Sequence, residues 1–174
     1  MTQKTSKTTL SLVVGGIGIA ILLIIIAKAT TNRSASPSQN NEVKTNLTNR
    51  ELALSCTTDM ATQFHIHTQL DIFVDGIKTT IPANTGVEPT GCMHPLHAHD
   101  NSGKIHVESP EKRDFALADF FAVWNATFNR EEILGNKTDA NHRIRITVND
   151  KEVDTYENTI FRDGERVAIY YEKI

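Results

Sequence analysis

The sequence predicts a protein of the α+β class: a small mixed sheet packed with one main helix and preceded by a single N-terminal transmembrane helix. Three observations predict it. Residues 10–27 form an apolar run without a charge, Asp75-Gly76 separates two alternating apolar stretches, and residues 115–124 place large apolar side chains at helical spacing. The composition agrees. With 174 residues, 39% hydrophobic and 22% charged, nine Gly and five Pro, the chain is not collagen, low-complexity disorder or a multi-span transporter.

Taken in order, Leu10 to Ala27 reads LSLVVGGIGIAILLIIIA. At a helical rise of about 1.5 Å these residues reach roughly 27 Å, enough to span a bilayer that thins slightly. Lys4 and Lys7 precede the run while Lys28 and Arg33 follow it, which favours a cytoplasmic N-terminus over residues 1–9. Ala27-Lys28-Ala29 is also an A-x-A-like cleavage site, so a removed signal peptide is the alternative. The run exceeds an ordinary signal-peptide core of roughly 7–15 residues, and an uncleaved signal anchor is therefore favoured. In either case the rest of the chain is expected outside the cytoplasm. Residues 28–51 are polar, rich in Ser, Thr and Asn, and without apolar periodicity, and they read as a flexible linker. The domain proper is expected over 52–174.

Within it, Gln69–Val74, the Asp75-Gly76 turn and Ile77–Pro82 form a hairpin, with the first strand able to reach back to Phe64. Residues 83–101 make a loop too long for a mere connector, and loops of that length usually carry function. Lys104–Glu108 alternates as a strand. Leu117, Phe120, Phe121 and Trp124 share a helix face, with Asp114 standing where an N-cap is wanted. Arg143–Val148 is a strand, Asn149-Asp150-Lys151 a turn, and Arg162-Asp163-Gly164-Glu165 turns the chain into a last strand over 166–171. That order of hairpin, loop, strand, helix and hairpin is β-grasp-like, a likeness that carries no function by itself.

Charge is divided along the chain. Residues 1–52 carry six Lys/Arg against two Asp/Glu (+4), and residues 53–174 carry twelve against nineteen (−7), which together give the net −3. An acidic domain repels phosphate backbones and concentrates cations, so the expected partner is a metal ion or a basic protein and not nucleic acid.

All seven histidines lie between residues 65 and 142. His65-Ile66-His67 and His97-Ala98-His99 are two H-x-H pairs, with His94 and His106 beside the second. Chance gives roughly 0.25 such pairs in a chain of this composition, so the cluster asks for an explanation. In an extended segment residues i and i+2 point to one face roughly 6.5–7 Å apart, close enough for two imidazoles to converge on one ion. His65, His67, His97 and His99 are the expected ligands and His94 and His106 further candidates. Imidazole sites suit copper, with zinc the alternative. The bland reading makes His65 and His67 the solvent face of a strand, and His142 is read as structural. Asp100 is either the acceptor that fixes a ligand tautomer or an ordinary turn residue; Glu108 is a ligand, a general base or a surface charge.

Cys56 and Cys92 precede the two histidine groups. Outside the cytoplasm they form a disulfide; the sharper alternative is thiolate ligation, with Met60 and Met93 as soft neighbours for Cu(I).

The strings FHIHTQLDIFVDG, TTIPANTGVEP, GCMHPLHAHDNSGKIHVESP and FALADFFAVW, within residues 56–125, resemble a family of small exported or membrane-anchored archaeal and bacterial His-rich proteins with the pattern H-x-H, V-D-G, I-P-A, C, L-H-T-H-D, G-I-I-H-V-E-S-P and F-T-L-G-Q-F-F. The resemblance implies importance for His65, His67, His97, His99 and His106 and names no reaction. Members often carry a further histidine where this chain has Gln69. A cupin would place an acidic residue three to four positions after H-x-H, and a blue-copper site would place Cys, Met and His together late in the chain; neither order is present.

Three functions follow as expectations. The first is a membrane-anchored extracytoplasmic module that sequesters, buffers or delivers copper or zinc. The second is a metal-dependent enzyme in which three histidines leave one position open, with Glu108 as its general base. The third is an accessory subunit of a larger membrane protein complex, whose anchor packs through Gly15, Gly16 and Gly18.

Overall fold

The computed structural model describes residues 47–58 and 62–174. The expected N-terminal segment, transmembrane helix, most of the linker and Met60 lie outside the described residues. Among those described, no helix is long and apolar enough to cross a membrane.

The first element, α1 (Asn49–Ala53), begins inside the stretch read as linker. Thr48 caps it reciprocally with Glu51: the Glu51 amide donates to Thr48 Oγ1 at 3.2 Å, and the Thr48 amide donates to Glu51 Oε2 at 2.8 Å. Leu52 and Ala53 are buried, which fixes this turn to the domain.

The chain then enters β1 (Phe64–Val74), β2 (Ile77–Thr79), the two-residue β3 (Leu96–His97) and β4 (Lys104–Ser109). After α2 (Leu117–Trp124) comes a small three-stranded sheet of β5 (Phe128–Asn129), β6 (Glu132–Ile133) and β7 (Asn136–Lys137). The hairpin β8 (His142–Val148) and β9 (Lys151–Val153) follows, then a 3-10 turn at Tyr156–Asn158 and finally β10 (Arg166–Lys173). The main sheet runs β3-β4-β1-β10-β8-β9, with β2 on the same edge of β1 as β4. β1 and β10 are parallel and every other pairing is antiparallel, so the sheet is mixed and the class α+β.

The period-2 pattern sets the two faces. One face aligns Ile72, Ile169 and Ile146 across β1, β10 and β8, and Ile66, Val107 and Leu96 across β1, β4 and β3. Phe115, Leu117, Phe120 and Phe121 from α2 and its approach belong to the same buried cluster. Each fully buried side chain of this size contributes roughly 1.5–3 kcal/mol. Shifting any strand by one residue would turn its apolar set outward, so burial of this face also fixes the register of the other.

Two local expectations are corrected. The N-cap of α2 is Ala116, and the Asp119 carboxylate performs the capping by accepting from the Ala116 amide at 3.0 Å. Asp114 instead pairs with Arg162. The second hairpin strand ends at Thr79, short of Pro82, whose ring has no amide proton for the ladder.

Candidate metal centre

Because β1 and β4 run antiparallel, His67 stands directly opposite His106 and His65 opposite Glu108; because β4 and β3 do the same, His97 also stands opposite His106. The register thus draws one row, His67–His106–His97, across three strands on the face away from the core. His99 follows two residues after His97. The ring centroids of His106 lie 4.5 Å from His67, 5.6 Å from His65, 5.2 Å from His97 and 4.7 Å from His99.

Among the described residues, no strand pairs with the second edge of the N-terminal half of β1. The Arg162–Glu165 turn replaces one: the His67 amide donates to Asp163 Oδ1 at 3.0 Å, the Gly164 amide donates to the His67 carbonyl at 2.8 Å, and Thr68 Oγ1 donates to the Arg162 carbonyl at 2.7 Å. The histidine-bearing end of the strand is therefore tied to the turn by three hydrogen bonds.

On the β3 side, His97 Nδ1 lies 2.9 Å from the His94 carbonyl. A carbonyl only accepts, so the proton sits on Nδ1 and the Nε2 lone pair is free. That Nε2 is buried without a hydrogen-bond partner, on a side chain 0% exposed. Gly86 permits the close packing there, since a Cβ at this residue would come 2.5 Å from the Leu96 carbonyl oxygen and 3.0 Å from His97 Cβ.

Potential ligand atoms within 4.8 Å of one another form two groups among the described residues: His65, His67 and His106, and His97, His99 and His106. The expectation of one ion held by the two H-x-H pairs is refined accordingly, because each pair is completed by His106. Each group has one exposed member, His65 or His99, which leaves a path for an ion from solvent; His67 and His106 are half-buried and His97 alone is buried.

Glu108 is not a plain surface charge. Its Oε1 lies 3.1 Å from His65 Nε2, 3.7 Å from His106 Nδ1 and 3.9 Å from His97 Nε2, and its side chain is only 16% exposed. Burial lowers the pKa of His97. Burial, reinforced by His67, His97 and His99, pushes His106 down to about 4. Both rings are therefore neutral at pH 7, the form in which imidazole binds a metal.

Other candidates fall away. His94 belongs to neither group: its Nδ1 faces the Ala53 carbonyl at 3.1 Å and its Nε2 faces Glu88 at 3.5 Å. Asp100 accepts from the Ser102 amide at 2.8 Å, the ordinary turn role, and the tautomer-fixing acceptor expected of it is supplied to His97 by the His94 carbonyl. Cys56 and Cys92 form a disulfide, so neither sulfur is a thiolate ligand; Met93 pairs through its backbone with Thr57 beside that bond. Gln69, where the resembled family often has histidine, ties to Asp71 and the Ser102 carbonyl. His142 binds Asp139 and stacks on Tyr171, a structural role.

Comparison with family models, curated proteins and solved structures gives no match.

Proposed function

We propose that the domain binds copper or zinc on the outer face of its sheet and acts as an extracytoplasmic module, tethered to a membrane through residues 10–27, that sequesters, buffers or delivers the ion. The observation that carries this reading is the buried, unpartnered Nε2 of His97 within a row of imidazoles aligned by strand register. Leaving such a group unpaired costs roughly 1–3 kcal/mol, a cost that a bound cation would reverse. Nitrogen donors with a nearby carboxylate and no thiolate suit Cu(II) and Zn(II). The disulfide supports an oxidising compartment, hence the location outside the cytoplasm. The run β4-β1-β10-β8-β9, with its parallel central pair and a helix between β4 and β8, supports the β-grasp-like assignment.

One observation favours a second reading. Three imidazoles leave a metal position open, and the Glu108 carboxylate lies against two of them at 3.1 and 3.7 Å, where it can serve as a general base for metal-bound water.

Metal analysis of the full chain, purified with its affinity tag removed and dialysed against equimolar copper and zinc, tests the proposal. Bound metal that is lost when His97 and His99 are both replaced by Ala is the expected result. Retention of no copper or zinc by the folded parent protein ends both readings.

A further inference from the structure

We infer that the cluster holds two cations that share His106, each bound through one of its two ring nitrogens; this rests on the metal-binding reading above and goes beyond it in number and bridging.

Geometry supplies the first argument. His106 is the register partner of His67 on one side and of His97 on the other, so the two H-x-H pairs approach opposite flanks of one ring. Each flank offers two further imidazoles: His65 and His67 have centroids 4.5 Å apart, and His97 and His99 4.8 Å apart. A tetrahedral centre with metal–nitrogen bonds of about 2.0–2.1 Å needs donors roughly 3.3 Å apart. Both groups have ligand atoms within 4.8 Å of one another, so each lies a short contraction from that spacing. Five imidazoles exceed what one four-coordinate ion takes, whereas two groups of three with a common member use all five.

The ligand-ready state of His97 supplies the second. Its Nε2 is buried and unpaired in the group that includes His99, while His65 Nε2 meets the Glu108 carboxylate in the other group. A carboxylate only accepts, so His65 carries its proton on Nε2 and keeps the Nδ1 lone pair for the other group, while His97 keeps its Nε2.

Charge supplies the third. Both nitrogens of one ring bind metal only as imidazolate: the remaining N–H bond of His106 breaks, a metal–nitrogen bond forms, and the proton leaves to the buffer. The resulting negative charge and that of Glu108, whose Oε1 is within 3.9 Å of nitrogens from both groups, offset the repulsion of two dications roughly 6 Å apart.

The experiment is a zinc titration of the full-length, untagged protein by equilibrium dialysis, with Cu(II) electron paramagnetic resonance on the same preparation. Two zinc ions per chain are expected for the parent, one for His65→Ala/His67→Ala and one for His97→Ala/His99→Ala. The second Cu(II) should diminish the low-temperature signal of the first through exchange across the bridge. One zinc per parent chain would overturn the sharing while leaving the metal-binding reading standing. Two zinc ions with two independent copper signals would overturn the bridge. No bound zinc or copper would overturn the metal-binding reading itself. The parent stoichiometry and the copper coupling decide the matter even where a double variant folds poorly.

Discussion

His106 and His67 face each other across β4 and β1 as direct register partners, their rings 4.5 Å apart and nearly perpendicular at 83°. His97 occupies the matching place on the other side of His106, so a single side chain belongs to both ligand groups. Replacing it should therefore harm binding more than replacing any other member. His106→Ala is expected to weaken zinc affinity beyond the roughly 10–100-fold that loss of an outer-shell partner costs, whereas His65→Ala leaves the second group whole. Competition against a zinc chelator measures this; equal effects for the two variants would show that His106 is not shared.

Glu108→Gln keeps the size of the side chain and removes its charge. The carboxylate lies 3.1 Å from His65 Nε2 and close to nitrogens of His106 and His97, so it favours a cation in either group. Zinc affinity is expected to drop about 10–100-fold while the melting temperature stays within a few degrees. Unchanged affinity would return Glu108 to the status of a bystander.

Much of this arrangement can be read from sequence, and the division has a physical cause. Period-2 alternation marks β1, β4 and β8, and Asp75-Gly76 marks the first hairpin, because each is a local pattern. β3 and the three strands of the small sheet are two residues long, too short to display any period. The H-x-H pairs announce themselves, yet the central position of His106 and the inward setting of Glu108 follow from which strand lies beside which, a non-local property that spacing along the chain does not contain. Asp114 misleads for a similar reason: three residues downstream of the true N-cap Ala116, Asp119 reaches back to it, and Asp114 is drawn off by Arg162.

The metal-free domain should lose stability in mild acid. Burial lowers the pKa of His97, and burial with the neighbouring rings brings His106 to about 4, whereas an unfolded histidine titrates near 6.5. Between those values the unfolded chain binds more protons, so stability rises with pH, is fully present above about 6.5 and is lost as pH falls toward 4. Melting temperatures of chelator-treated protein from pH 7.5 to 4.5 check this, and His106→Ala is expected to flatten the slope. A flat parent profile would contradict it.

The Cys56–Cys92 disulfide closes a sequence separation of 36 residues around β1, β2 and the start of the long loop. Chain-entropy reasoning values such a link at roughly 4 kcal/mol. Thr57 and Met93 remain paired beside it by two backbone hydrogen bonds of 3.1 and 3.0 Å, so reduction is expected to lower stability without erasing the local ladder. Denaturant titration with and without a reductant, or of Cys56→Ala/Cys92→Ala, gives the number; a loss below about 1 kcal/mol would mean that the unfolded chain is already compact there.

Gly86 offers the sharpest separation of the two ligand groups. It lies in the long loop at φ +78°, and an added Cβ would stand 2.5 Å from the Leu96 carbonyl oxygen and 3.0 Å from His97 Cβ. A backbone oxygen at that distance cannot turn aside, so Gly86→Ala must push β3 away from the loop and shift the His97 ring. Gly91 shares the loop and the left-handed conformation, at φ +85°, but an added Cβ there meets nothing within 4 Å. Its replacement by Ala carries only the conformational cost, roughly 1–2 kcal/mol. Gly86→Ala is expected to cost more than Gly91→Ala and to weaken metal binding in the group of His97, His99 and His106. In a His65→Ala/His67→Ala background, where that group alone remains, affinity should fall at least tenfold with Gly86→Ala and stay level with Gly91→Ala. Equal affinities for the two glycine variants in that background would mean that His97 is not positioned by this contact.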